Sequence, residues 1–411
     1  MIIVPYAQGA ASPSRIASAS ERFGGVVFVV DAAVPQPPAV LSVLERFGMV
    51  VHGDPEDPEL SARLEPYAPV GVVTFVDALL PLATRIGAHF GLRTHDASVC
   101  SLLTSKYLQR LRLNGEGVGH VDTTAFTYGG ELPASLAEAV YPAVLKPDSG
   151  ASSRDTLFLD SHADLLAHTP ELVSGQPYVL EEAIIGTGES PAGEWLADYV
   201  SVENALVDGE LVCVGVSGKL PMAPPVRERG AVFPLVLGDA VDAEVRDLSA
   251  RAVRALGITT GLTHTEIKLT PKGAQVIEVN GRLGGAFEAL MPQAGVTDPV
   301  ALAVEIAAGA TPARVRELIR PAEKVTLVHW AQPPMSATAV DTLTGMPELR
   351  RMDGVFAAGR VLAPGSPVDW RRGSIGRVVD VWLEAADLDE LATRLAAAER
   401  HLDHHITWRN A

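Results

Sequence analysis

The chain has 411 residues, 47% of them hydrophobic and 20% charged, with 33 Lys and Arg against 50 Asp and Glu and a formal net charge of −17. Such a composition can bury large cores, which excludes a disordered or fibrous chain, and the length suits two or three domains. The acidic surplus repels phosphate backbones and anionic lipid, so neither nucleic acid nor a membrane is an expected partner.

Over residues 1–95, short apolar runs at 2–4, 26–30, 49–51 and 70–75 alternate with helical patterns, as in a parallel sheet with helices on its faces. Val40, Val43, Leu44 and Phe47 share one helical stripe, and Leu79, Leu82, Ile86 and Phe90 another. No G-x-G-x-x-G follows the first strand, so this doubly wound unit reads as scaffold or as one wall of a cleft. Next come a helix carrying Leu103, Lys106, Tyr107 and Arg110, a strand ending at Lys146, a loop of small residues and a strand at 178–184. Between about 198 and 310, hairpins alternate with helices; Asp208-Gly209 suits a type I′ turn, and Pro271-Lys272-Gly273 marks a second hairpin. After Pro321 the pattern changes to short strands, a Gly/Pro/Arg-rich stretch at 364–376 and a helix at 388–401, which read as a separate α+β module. Within it, Trp370-Arg371-Arg372-Gly373 reads as a solvated turn. Cys100 and Cys213 read as reduced core thiols, and with no basic leader and no long apolar run the expected location is the cytoplasm.

The second hairpin carries the chemistry. Alternation puts His264, Glu266 and Lys268 on one face, as it does Glu278, Asn280 and Arg282. A three-residue loop would set Glu266 opposite Glu278 and His264 opposite Asn280. Two facing carboxylates call for a compensating cation, and with an amide oxygen they form a hard ligand set suited to Mg²⁺, with Mn²⁺ able to substitute. The chain has only six lysines. Lys146, ending an apolar strand before Ser149, Gly150, Ser152 and Ser153, is placed to reach nucleotide phosphates, and Lys106 sits on a helix.

Five segments in order, Leu103-Thr-Ser-Lys106-Tyr-Leu-Gln-Arg110, Val144-Leu-Lys146-Pro, Glu181-Glu182-Ala183-Ile184, His264-Thr-Glu266 and Ile277-Glu278-Val-Asn280-Gly-Arg282, resemble the ATP-grasp superfamily, and within it carboxylate-amine ligases such as the bacterial L-amino acid ligases. The resemblance implies a mixed α/β and α+β fold. Its parts would be a Rossmann-like domain over 1–95, an ATP-grasp domain over 96–320 with a mobile lid at about 115–185, and a C-terminal module over 321–411. It implies ATP and Mg²⁺ as cofactors, with Lys106 and Lys146 on the phosphates and the loop at 149–154 covering them. Glu181 to Ile184 would form the adenine hinge, and Glu266, Glu278 and Asn280 would bind the metal. Arg282 would steady the transferred phosphate, and His264 beside it would either assist deprotonation of the amine or serve as a neutral hydrogen-bonding partner. The ribose acid would be Glu189, Glu194 or Asp198. Arg227 would meet a substrate carboxylate and Glu228 an ammonium, with Gly285 near them.

The implied reaction is ATP-dependent amide formation between an amino acid and another amino acid or small amine through an acyl phosphate. Alternatives are a carboxylase-type enzyme that activates bicarbonate and a nucleotide-binding regulatory protein without catalysis. The partners expected are small-molecule amino acids or amines, and a homodimer as the assembly.

Overall fold

The computed structural model describes residues 1–34 and 36–410. At the N-terminus the apolar runs form a four-stranded parallel sheet in the order Met49–Gly53, Val26–Asp31, Ile2–Pro5, Gly71–Val72. One face buries Ile3, Val27 and Val29 against Leu60, Leu64, Leu82 and Ile86. The other buries Ile2, Val4 and Phe28 in a core shared with Phe287, Leu290, Val300 and Val304. The unit is thereby fixed to the helices Phe287–Gln293 and Pro299–Ala307, which come from the middle of the chain. Helix Pro38–Phe47 is less buried than its stripe suggests: Leu44 alone is buried, while Val43 and Phe47 are exposed, because the helix packs beside an edge strand with nothing beyond it.

The expected single helix around Lys106 is two helices, Ala97–Thr104 and Lys106–Gly115, broken at the extended Ser105. Ser105 Oγ accepts from Leu108 N as an N-cap. Asp148 completes the cap, its Oδ1 accepting from Ser105 Oγ and from Tyr107 N at 3.1 and 2.8 Å. Lys106 therefore starts a helix.

Residues 123–182 carry a four-stranded antiparallel sheet in the order Thr123–Thr127, Pro177–Glu182, Ala143–Pro147, Leu157–Leu159, with its own core of Phe126, Leu136, Leu145, Leu165 and Tyr178. The central sheet has eight strands: Gly273–Asn280, Gly261–Thr270, Tyr199–Val207, Glu210–Lys219, Gly230–Phe233, Val325–Ala331, Val379–Ala385 and Val355–Arg360. Asp208 and Gly209 both have positive φ at the turn between the Tyr199–Val207 and Glu210–Lys219 strands, as a type I′ turn demands.

The stretch after Pro321, expected to stand apart, contributes the last three of those strands. Gly230–Phe233 pairs antiparallel with Val325–Ala331, and one core runs from Val200 and Leu248 to Leu327, Leu383 and Leu395. The tail is α+β in content, as expected, but it completes the central sheet because Val325–Ala331 supplies the ladder that Gly230–Phe233 would otherwise lack.

At the opposite edge, the Gly273–Asn280 strand is capped by side chains. Gln109 exchanges two hydrogen bonds with the Val279 backbone at 2.7 and 2.8 Å, and Arg110 donates to the Val276 and Ile277 carbonyls. Replacing Gln109 with Ala should orphan two buried backbone groups and cost about 2–4 kcal/mol, seen as a lowered urea midpoint with an unchanged slope.

Candidate active site

The hairpin brings Glu266 opposite Glu278 and His264 opposite Asn280, as expected, but by another route. Its turn has two residues, with Thr270 paired to Gly273, and a bulge at Ile277 restores the register before Glu278. Arg282 follows, with Nη2 3.3 Å from Asn280 Oδ1. Among the described residues no three His, Cys, Asp or Glu side chains form a metal cage. Two carboxylates and an amide oxygen make a partial shell, which fits a cation such as Mg²⁺ that keeps waters and takes substrate phosphate oxygens.

The facing carboxylates lie within a ring of cations. Lys106 Nζ lies 3.2 Å from Glu278 Oε1 and donates to the Gly150 carbonyl at 2.7 Å, so it spans from the Gly273–Asn280 strand to the small-residue loop. Burial works against the Lys106 ammonium, but Glu278, Asp77 and Asp148 outweigh it and raise its pKa. The buried Lys219 Nζ is 2.8 Å from Glu228 Oε1, and its pKa rises for the same reason. Burial would raise the Glu266 carboxyl, yet His264, Lys219 and Arg282 hold it at about 2. His264, fully enclosed, has Nδ1 2.5 Å from Glu203 Oε1 and Nε2 3.3 Å from Glu266 Oε1. Against the burial that would neutralise it, these carboxylates raise its pKa to about 9. So held, the imidazole favours its protonated form at neutral pH, the opposite of what accepting a proton from an amine or serving as a neutral partner requires.

Arg282 is steered from the N-terminal unit. Its Nε and Nη2 donate to Asp77 Oδ2 at 2.8 and 2.6 Å, and Nη1 to the Leu283 carbonyl. Beside it, an added Cβ at Gly284 would come within 2.5 Å of His264 Nδ1, whereas one at Gly285 meets nothing within 4 Å. Gly285 thus has open space around it, and Gly284 is the glycine that close packing requires.

Lys146 borders the same recess as Lys106 and the hairpin residues Ile277 and Glu278. It and Arg110 hold Glu181 between them, with Lys146 Nζ 2.5 Å from Oε2 and Arg110 Nε 3.0 Å from Oε1. Glu181 is therefore buried in an interior strand, not exposed on an edge. The hinge after it is partly spoken for: Glu182 N donates to the Asp122 carbonyl and Ala183 N to that of Pro142, with Ile184 following. Ser149, Gly150 and Ser152 are exposed and Ser153 half-buried, and Gly150, Ser152 and Ser153 all have positive φ. Of the ribose candidates, Glu189 and Glu194 are exposed, while Asp198 is buried and committed to Lys268 Nζ and to Gly188 N.

Two expectations change in the segments nearest Glu228. Arg227 is 2% exposed and donates to the Pro224 and Pro333 carbonyls, so it braces its loop instead of presenting its fork to a carboxylate. Trp370 is packed against the core of the 123–182 sheet, and Arg371 pairs with Glu171 at 2.9 Å, so the stretch read as a solvated turn is a contact between the tail and that sheet's segment. The sequence reading missed Asp77, Glu203 and Lys219. For Lys219 the scarcity of lysine was a usable signal; the two acids had none, since their partners are distant in sequence.

No protein-family model matches the chain. An uncharacterised protein of Sinorhizobium fredii is 26% identical over 335 residues, 79% of this chain and 66% of that protein. The alanine–anticapsin ligase of Bacillus subtilis is 28% identical over 193 residues, 44% of this chain and 41% of the ligase. The matched stretches thus span between two fifths and two thirds of these relatives. The crystal structure of an L-amino acid ligase from Bacillus licheniformis superposes with a TM-score of 0.77 at 19% identity, covering 100% of this chain and 98% of that one.

Burial raises the Glu181 carboxyl, but Lys146 and Arg110 bring it from 4.5 down to about 2. A depressed carboxyl pKa contributes stability that is present above pH 4.5 and is lost as pH falls toward 2. Between those values the unfolding free energy of Glu181→Gln should therefore fall less steeply than that of the wild type, as acid titrations of the urea midpoint would show.

Proposed function

We infer that this chain, which has the ATP-grasp fold, is an ADP-forming ligase that joins a carboxylate to the amine of an amino acid or similar small molecule. The observation that carries this reading is the facing pair Glu266 and Glu278, with Asn280 and Arg282 beside it and Lys106 bridging from it to the loop at 149–155. Lys106 and Lys146 would meet the nucleotide phosphates, the backbone of 149–153 would cover them, and the Ile184 N–H would serve the adenine. Glu266, Glu278 and Asn280 would hold Mg²⁺, which when bound neutralises phosphoryl oxygens.

A substrate carboxylate oxygen attacks the γ-phosphorus, the bond to the bridging oxygen breaks, and ADP leaves with an acyl phosphate formed. An amine nitrogen then attacks the acyl carbon, phosphate departs, and a proton is released as the amide forms. Arg282, held in place by Asp77, is oriented to meet negative charge on the phosphoryl group and on the tetrahedral oxyanion. His264, cationic between Glu203 and Glu266, supplies fixed positive charge in place of a base. Glu228, paired to Lys219, offers a carboxylate for a substrate ammonium. Closure of the 123–182 sheet over the cleft keeps water from the acyl phosphate.

Incubation with Mg·ATP and pairs of the twenty amino acids, followed by phosphate release and mass spectrometry, tests the reading. The expected outcome is release that depends on two amino acids and a product mass equal to their sum less water. Release stimulated by bicarbonate in place of an amino acid would instead favour a carboxylase. Glu278→Ala should lower ADP formation at least about a hundredfold in a folded protein, the loss typical when a preorganised charge-stabilising group is removed, and undiminished ADP formation would sink the assignment. Asp77→Asn should lower kcat and leave the nucleotide KM nearly unchanged, because it frees the Arg282 guanidinium without touching the phosphate-binding lysines.

A further inference from the structure

The segment Trp370–Gly376 touches both halves of the proposed cleft. On one side it meets the small-residue loop: Ser374 N donates to the Ser152 carbonyl at 2.8 Å, and Asp155 N donates to the Arg371 carbonyl at 3.1 Å. Gly373 adopts φ 65°, ψ −149°, a conformation essentially reserved for glycine. A Cβ there would lie 2.1 Å from the Ser152 carbonyl oxygen and 2.7 Å from Arg154 N. The loop it contacts is itself held out of the common backbone regions, with positive φ at Ser152, Ser153 and Asp155. Non-glycine residues keep such conformations only where surrounding contacts impose them, and the tail segment makes two of those contacts, at Ser152 and Asp155.

On its other side the same residue meets the loop that carries Glu228. Ser374 Oγ accepts from Glu228 N at 2.9 Å, and the Gln332 amide donates to both the Ser374 and the Glu228 carbonyls. Ser374 is 4% exposed, so both bonds are shielded from water. Three groups from distant parts of the chain, the 149–155 loop, Ser374 and the Glu228–Lys219 pair, are thus joined by consecutive hydrogen bonds.

We propose that Gly373 and Ser374 are positioning residues that couple the 149–155 loop to the Glu228–Lys219 pair, so that a nucleotide triphosphate held at the loop orders the part of the cleft that receives the substrate ammonium. The proposal rests on the nucleotide reading given above. The order it imposes is physical: a loop drawn down onto phosphate pulls on Ser374 through Ser152, and Ser374 fixes the Glu228 backbone, the base from which that carboxylate reaches Lys219. Water and unproductive amines then meet a poorly formed ammonium site until the nucleotide is in place.

Hydrogen exchange on the full chain, with and without the Mg²⁺ complex of β,γ-imido-ATP, separates the two ideas. The wild type should slow its exchange on binding both at 150–156 and at 226–230. Ser374→Ala, which leaves the bond to Ser152 but removes the acceptor for Glu228 N, should keep the first response and lose about tenfold of the second, the ratio equivalent to one net hydrogen bond. Ser374→Thr retains the hydroxyl and should restore it, a rescue that a merely space-filling role would not predict. If Ser374→Ala does not fold, Gly373→Ala reads the coupling from the other side and should weaken both responses together. Slowing at 150–156 alone in the wild type, or a full response at 226–230 in Ser374→Ala, overturns the coupling while leaving the nucleotide reading intact. No slowing at 150–156 in the wild type overturns the nucleotide reading and the coupling with it.

Discussion

Glu266 and Glu278 face each other on neighbouring strands, an arrangement that repels unless positive charge is brought to it. Lys106, Lys219, His264 and Arg282 come from four different elements to meet that demand, and each is itself held by a further acid or carbonyl: Lys106 by Gly150, Lys219 by Glu228, His264 by Glu203 and Arg282 by Asp77. The cleft is in this sense an electrostatic lattice. Since a buried charge is stable only when paired, each neutralising group fixes the position of the segment that carries its own partner. Asp77 ties the N-terminal unit to the end of the Gly273–Asn280 strand, and Gly150 ties the 123–182 sheet to it.

The 123–182 sheet is attached at several points. Asp148 caps the helix that begins at Lys106, Lys146 and Arg110 share Glu181, and Trp370 packs against the core of that sheet from the tail. Asp148, Lys146 and Glu181 lie on or beside the strands of the 123–182 sheet, so that sheet and the charges around Glu278 share one set of contacts. The tail strands extend the central sheet far enough for the Trp370–Gly376 segment to reach over to the 123–182 sheet.

Much of this was legible in local pattern. Apolar runs with helical stripes between them located the parallel unit, Asp208-Gly209 located a hairpin, and period-two alternation placed His264 and Glu266 across from Asn280 and Glu278. What pattern did not carry was the identity of partners distant in sequence. The helical pattern runs through Ser105 without a break, and the break exists because Asp148 supplies a carboxylate to cap a new helix there. Strand period marks Val325–Ala331 as a strand but does not say that Gly230–Phe233 needs it as a neighbour. Arg227 in a proline-rich loop looks like a free fork, and it is buried because two carbonyls with no strand or helix partner of their own lie within its reach. The pairing of Glu266 with Glu278 was reached from a three-residue loop that is in fact a two-residue turn followed by a bulge, two geometries that give the same register beyond Ile277.

The distribution of lysine has a practical side. Of six in the chain, Lys106, Lys146, Lys219 and Lys268 are each paired to a carboxylate in or beside the cleft, Lys324 is half-buried against Glu384, and Lys272 at the hairpin turn is exposed. An ammonium held in an ion pair and screened from water is a poor nucleophile, so among the lysines amine-directed reagents find one ready target, Lys272, on a surface whose other side-chain cations are almost all guanidinium. Acylation of Lys106, Lys146, Lys219 or Lys268 therefore records the moments at which the cleft comes apart, and labelling at those four becomes a clock for its opening.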